Sequence, residues 1–331
     1  MSKAILVTGG AGYVGSHACK ALAGAGYQPV VYDNLSRGHA GAVRWGPLVE
    51  GDLHDRATMV AALRAHRIAA VMHFGAFAYV GESVGEPELY YRNNVGGTLA
   101  LLAAMREAGV GTIVFSSTCA VYGAPGESPI RETTAKAPLN PYGETKLAIE
   151  RALYWYGEAY GLRYAALRYF NAAGADPDGE IGEEHDPETH LIPRVLRAAL
   201  GRGDPVEIYG TDYPTADGTA IRDYIHVTDL ANAHLRALDY LEAGANIALN
   251  LGTGSGASVR EVIAAVERIA DRPVPRREAA RRPGDPPELV ADPALAQARL
   301  GWRARHSDLD TIVSTALAWE TRPSATPGAD R

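Results

Sequence analysis

The chain has two cysteines in 331 residues, Cys19 and Cys119, too few for a disulfide framework or a thiolate zinc cluster. Its ten histidines never form a His-Glu-x-x-His pair, and no metal is expected. No apolar run approaches the roughly 18 residues of a membrane span. The opening MSKAILVTGG holds only a short apolar stretch, too brief for a secretory leader, so a cytoplasmic protein with no membrane partner is expected. Positive charge is not in excess either. A net charge of −7 argues against a general nucleic-acid-binding role and leaves small anionic ligands open. There is no internal repeat. With 47% hydrophobic and 21% charged residues, the composition is that of an ordinary globular protein, long enough for one large α/β domain or a domain with an added lobe.

What is present is an alternation. Short β-branched or apolar runs at 5–8, 29–33, 48–51, 70–74, 113–116 and 164–169 read as strands. Helix-length patterns at 13–25, 55–66, 88–108 and 141–160 lie between them, with glycine stops at Gly26, Gly109 and Gly161. Strict alternation predicts an α/β fold, a Rossmann-type doubly wound parallel sheet with a smaller C-terminal α/β substrate lobe. A dinucleotide-binding domain is expected over 1–171, with later segments near 222–255 interleaved. A lobe is expected mainly over 172–321, and a fraying tail over 322–331. A helix is expected near 191–200, and shorter elements at 227–241, 248–251, 259–270 and 309–319 are expected to form a lobe packed against the sheet. Two long loops, AAGADPDGEIGEEHDPETH and GTDYPTADGTAIRD, have a length usually reserved for function or disorder.

The first strand runs into TGGAGYVG, where Gly9, Gly12 and Gly15 precede a helix. Glycines there let the backbone turn tightly and approach a pyrophosphate at the positive helix end, although a plain βα turn has the same composition. Asp33 closes the second strand, where a carboxylate accepts ribose hydroxyls and repels a 2′-phosphate. That favours NAD over NADP. Asp52 and Leu53 end the third strand, suited to the amino group and face of an adenine or to an ordinary turn. After the fifth strand, Ser116, Ser117 and Thr118 offer hydroxyls to a substrate oxygen or to a strand-end cap. In PYGETK, Tyr142 and Lys146 lie four apart on one helical face, where a neighbouring ammonium favours the phenolate. The same spacing serves equally for a solvated pair. His73, His190 and His226 are assigned by default to packing or loops, and Arg281 to an exposed basic turn.

These fragments, together with YDNLSRG, HFGAFAYVGESV, YYRNNVGGT, LRYFNAAGA, IRDYIHVTDLA and NLGTGSG in order from about Lys3 to Trp319, resemble the extended short-chain dehydrogenase/reductases, most closely the UDP-hexose 4-epimerases. The resemblance implies Tyr142 as acid/base. Lys146 would hold the nicotinamide ribose and lower the tyrosine pKa, and Thr118 would donate to the sugar 4-oxygen. It places Gly9, Gly12, Tyr13, Val14, Gly15, Asp33 and Asn34 against NAD, followed by Asp52, Leu53, Phe74, Asn93 and Phe170. It places Asn171, His190, Leu191, Tyr209 and Leu289 against a UDP-sugar, with Arg222, Arg282 and Asp285 at its diphosphate end. The implied reaction removes hydride and proton from C4, turns the 4-keto sugar about its diphosphate and returns the hydride to the other face. A homodimer through a four-helix interface, built from 88–108 and 141–160 of each subunit, is implied as well.

The chain departs from the commonest epimerase pattern at three places that bear on the sugar. Ala78 replaces a cofactor-side lysine, His190 replaces an asparagine, and Leu289 stands where the pocket-limiting residue varies. UDP-glucose/UDP-galactose is the first expectation, UDP-xylose/UDP-arabinose the alternative, and N-acetylated sugars the third. A nucleotide-sugar 4,6-dehydratase would carry Asp-Glu after the strand-five threonine, but Thr118 is followed by Cys119 and Ala120. A non-catalytic NAD sensor would have no use for Tyr142 and Lys146.

Overall fold

The computed structural model describes residues 2–282 and 284–322. Seven parallel strands form one sheet: β1 (Ala4–Thr8), β2 (Gln28–Asp33), β3 (Leu48–Glu50), β4 (Ile68–His73), β5 (Thr112–Thr118), β6 (Arg163–Tyr169) and β7 (Ile247–Leu251). Their spatial order is β7-β6-β5-β4-β1-β2-β3. Every residue of β1 and β5 is buried, because helices cover both faces. Along β1 the side chains alternate, with Ile5 and Val7 entering one core and Ala4 and Leu6 the other.

The main helices are α1 (Tyr13–Gly24), α2 (Arg56–Ala65), α3 (Gly97–Ala108), α4 (Pro141–Tyr160), α5 (Leu191–Ala199), α6 (Val227–Glu242), α7 (Val259–Ala270) and α8 (Leu309–Glu320). The first core takes in α1 and α6, and the second takes in α2, α3 and α4. A third core joins α5, α7 and α8 to the short strands Val206–Tyr209 and Tyr224–His226. It forms the lobe over the carboxyl ends of the large sheet.

The segment 88–108 is helical throughout, as expected, but irregular: Pro87–Tyr90 passes into a π-helical turn over Tyr91–Gly96, which continues into α3. The cause is buried Asn94, whose amide accepts from Phe77 N at 2.9 Å and donates to Phe77 O at 3.0 Å, tying the helix to the loop after β4. The segments 227–241 and 248–251 join the large sheet and its helices, in keeping with the interleaving expected near 222–255, and do not form part of a lobe packed on it. β7 is its edge strand, in parallel register with β6 from Ile247↔Ala165 to Leu251↔Tyr169, and α6 packs beside α1. Beyond Arg322, whose Nη1 donates to Trp319 O at 2.8 Å, the expected tail lies outside the described residues.

Candidate active site

A cleft of about 1100 Å³ opens where the strands of the large sheet end and the lobe begins. This lies at the top of the roughly 300–1,000 Å³ range of small-molecule pockets. Its first wall is the β1–α1 turn. Gly9 takes φ +70°, and a Cβ there would fall 2.6 Å from Gly75 N. A Cβ on Gly15 would fall 2.2 Å from Gly9 O, so the helix start can press on the turn only without side chains. Gly12, the residue before α1, gives no side-chain cap, and the first helical amides stay open to an anion. This cradle fits a dinucleotide pyrophosphate.

Asp33, 8% exposed, accepts from Ala11 N at 3.0 Å and Leu35 N at 2.8 Å. Burial raises its pKa, and those two amides oppose the rise. Asn34 reaches the cleft and donates to Asp52 Oδ2 at 2.8 Å, and Leu53 lies on the wall with Tyr13, Val14, Phe74, Asn93 and Phe170. Asp52 itself does not line the cleft. Its carboxylate also accepts from His54 N at 2.9 Å, which leaves it organising the turn behind Asn34.

β5 delivers three hydroxyls to three destinations. Ser116 Oγ meets Tyr169 Oη at 2.7 Å, Ser117 Oγ donates to buried Glu150 at 2.6 Å, and Thr118 Oγ1 accepts from Ala120 N at 3.2 Å while facing the cleft. Thr118 thus serves as strand-end cap and wall at once. Helix α4 begins beside it, because Asn140 Oδ1 accepts from Gly143 N at 2.9 Å and Pro141 occupies the first turn. Tyr142 is set on the same wall.

Lys146, one turn deeper, does not line the cleft. Its Nζ donates to Ser116 O at 2.8 Å and lies 5.9 Å from the Tyr142 ring centre. Burial pushes the lysine down to about 7, with Glu150 acting the other way. The expected lowering of the tyrosine is absent here. Burial raises the Tyr142 phenol, Tyr169 adds to the rise and the Thr118 hydroxyl opposes it. The reason is burial, the largest influence on both groups.

The lobe supplies the far wall, including Asn171, His190, Leu191, Arg222, Arg282, Asp285 and Leu289. Arg222 does not pair with the adjacent Asp223. Its guanidinium holds Asp285, whereas Asp223 accepts from Thr253 N at 2.9 Å and Ala291 N at 3.2 Å. Leu289 is opposite Arg222 in the pairing of two short strands. Tyr209 lies off the cleft, its ring 3.9 Å from the Arg282 guanidinium, which it supports. Arg281 pairs with Asp212 at 2.7 Å on the surface, as expected of it.

His73 and His226 are internal: His73 bonds Thr8 and Thr98, and His226 bonds Thr315 at 3.0 Å. Wall residues left unassigned in the sequence include Tyr169, His185 and Arg37, the last 5.2 Å over the rings of Phe77 and Tyr79. Arg37 lies in the loop after β2, where a basic residue in YDNLSRG was its only signal.

A glycine cradle and a ribose-type carboxylate at one end of a sheet, with a Tyr/Lys pair at its middle, define a dinucleotide-binding protein of the doubly wound class. Residues 5–252 match the NAD dependent epimerase/dehydratase family, and the chain belongs to that family. It is 54% identical over 319 residues to a UDP-glucose 4-epimerase of Rhizobium meliloti, a match that covers 96% of this chain and 97% of the relative. The crystal structure of UDP-glucose 4-epimerase from Brucella ovis in complex with NAD is similar, with TM-score 0.94 and 59% identity over 96% of this chain and 98% of that one. So is the Stenotrophomonas maltophila UDP-glucose-4-epimerase with bound NAD and formylated UDP-arabinopyranose, with TM-score 0.93 and 42% identity over the same shares.

Proposed function

We propose that the protein interconverts UDP-glucose and UDP-galactose by inverting the sugar at C4. The observation that carries this reading is that Thr118 and Tyr142 wall the same cleft as the glycine cradle, with Lys146 directly behind them. Bound in the cradle, NAD supplies a reversible hydride acceptor. Tyr142 takes the proton of the 4-hydroxyl and returns it after the sugar has turned, while Thr118 holds the 4-oxygen in reach. A charged Lys146 favours the phenolate during that exchange, and burial of the phenol keeps water from competing for its proton. Arg222 and Arg282 hold the diphosphate, so that the sugar alone need move. Asn171, His190, Leu191 and Leu289 bound the space in which it turns.

The test is incubation with UDP-galactose and an assay for UDP-glucose, with UDP-xylose and UDP-N-acetylglucosamine in parallel. Tyr142→Phe should lower kcat by about 10²- to 10⁴-fold while bound NAD and Tm stay unchanged. A near-normal rate in that variant sinks the assignment.

The reading extends to assembly. Leu99 on α3 and Tyr154, Trp155 and Tyr160 on α4 are exposed, Trp155 by 66%, and a second copy packed through these helices would cover them. Two free cysteines and a nucleotide-sugar substrate suit the cytoplasm.

A further inference from the structure

We propose that Glu183, His185, Glu188 and His190, in the loop that leads into α5, bind one divalent transition-metal cation of the zinc class. Each contributes one nitrogen or carboxylate oxygen, and the four atoms lie within 4.8 Å of one another. His185 Nδ1 stands 2.9 Å from Glu183 Oε1 and 4.0 Å from Glu188 Oε1. His190 Nδ1 turns to the same Glu183 oxygen and is also 4.0 Å from Glu188 Oε1. Two imidazole nitrogens therefore converge on one carboxylate oxygen, with a second carboxylate alongside.

The second carboxylate is the independent sign of a missing partner. The Glu188 side chain is 4% exposed, and that of Glu183 is 5% exposed. Glu188 Oε1 accepts from His190 N at 2.8 Å, but Oε2 is buried with no hydrogen-bond partner among the described residues. The nearest cation to it, Arg197, is 3.8 Å away, with its Nε committed to Glu320 at 3.0 Å. A buried carboxylate oxygen with nothing to accept is costly, and a dication held among these four groups removes that cost.

The donor set selects its kind. Two imidazoles and two carboxylates suit a four-coordinate Zn²⁺-class ion, whereas Ca²⁺ and Mg²⁺ call for oxygens throughout. The neighbouring acidic cluster makes the contrast. Asp176, Asp178 and Glu180 surround the Lys20 ammonium at 2.7 to 2.8 Å, so the chain supplies its own cation there. The spacing Glu-x-His-x-x-Glu-x-His passed unnoticed in the sequence because it is not the helical pair by which zinc sites are usually found. An ion here would fasten the loop to the start of α5, beside the cleft wall that His185 and His190 share.

The full-length protein, freed of metal with a chelator, is titrated with ZnCl₂ alone by calorimetry. One Zn²⁺ per chain and a rise in Tm are expected. Glu188→Gln and His185→Gln should each weaken binding at least about tenfold, and Asp178→Asn in the other cluster should leave it unchanged. No binding to the folded native protein overturns the proposal. So does equal affinity in the native protein and both variants, or a loss confined to Asp178→Asn. Should the variants fail to fold, the native protein loaded with Co²⁺ decides. Intense visible bands of tetrahedral cobalt with paramagnetically shifted imidazole protons sustain the site, and an octahedral aquo-like spectrum refutes it.

Discussion

Lys146 is 3% exposed, with its ammonium on a backbone carbonyl, and it is costly to charge in that setting. Its pKa falls from an ordinary 10.5 to about 7 in the folded protein. Between those values the unfolded chain holds a proton that the native one has lost, so stability rises with pH across this window. Below pH of about 7 the cost is full and constant. Lys146→Met should therefore stabilise the dinucleotide-free protein most at and below about pH 7, with a gain that shrinks toward pH 10.5. Denaturant unfolding across that range checks it, and a gain independent of pH refutes the assignment. Leu289, on the cleft wall, fills space against an N-acetyl group and gives it no hydrogen bond. UDP-N-acetylglucosamine should be turned over less efficiently than UDP-glucose, by a factor worth about 1 to 3 kcal/mol. Leu289→Ser should narrow the ratio of kcat/KM values, and parity in both proteins removes Leu289 as the gate.

Helix α4 has to hold Tyr142 still, and three devices at the scale of the element do so. Asn140 caps its start, and Gly161 at φ +70° ends it. Glu150 in its middle accepts from Arg168 Nε on β6 at 2.8 Å and from Ser117 Oγ on β5 at 2.6 Å. Arg168 also donates to Tyr122 Oη at 2.8 Å. Arg168→Met leaves Glu150 buried without its cation and should cost about 3–5 kcal/mol. Asn140→Ala should cost about 1 kcal/mol, and both are read from the shift in denaturation midpoint. A loss below about 1 kcal/mol for Arg168→Met would mean that the pair does not carry the helix. The bounds of α4 were legible because proline, an asparagine cap and a terminal glycine are local signals. The π-helical turn at Tyr91–Gly96 was not legible, since it answers to Phe77, distant in sequence.

At the scale of the whole molecule, the face formed by α3 and α4 leaves Leu99, Tyr154, Trp155 and Tyr160 in solvent, while the opposite faces of those helices enter the second core. Sedimentation should find a dimer. Trp155→Lys, which places a charge at the most exposed of these side chains, should shift it toward monomer without changing the fold. A native protein that sediments as a monomer at micromolar concentration removes the interface.

The sequence by itself determined the alternation of strand and helix, the glycine turn before α1, Asp33 at the end of β2 and the Tyr142/Lys146 spacing. Each depends on a few neighbouring residues and on backbone geometry that neighbours dictate. Only the tertiary structure decided which partners those groups meet. Lys146 was expected to lower the Tyr142 pKa, but burial raises that phenol. Asp52 and Tyr209 were expected in the cleft, but one turned to Asn34 and the other slid beneath Arg282. The seventh strand came from residue 247 onward, and a four-residue His/Glu cluster gathered in a loop. Desolvation and long-range pairing depend on what the rest of the chain places around a residue, and neither is written in the residues beside it.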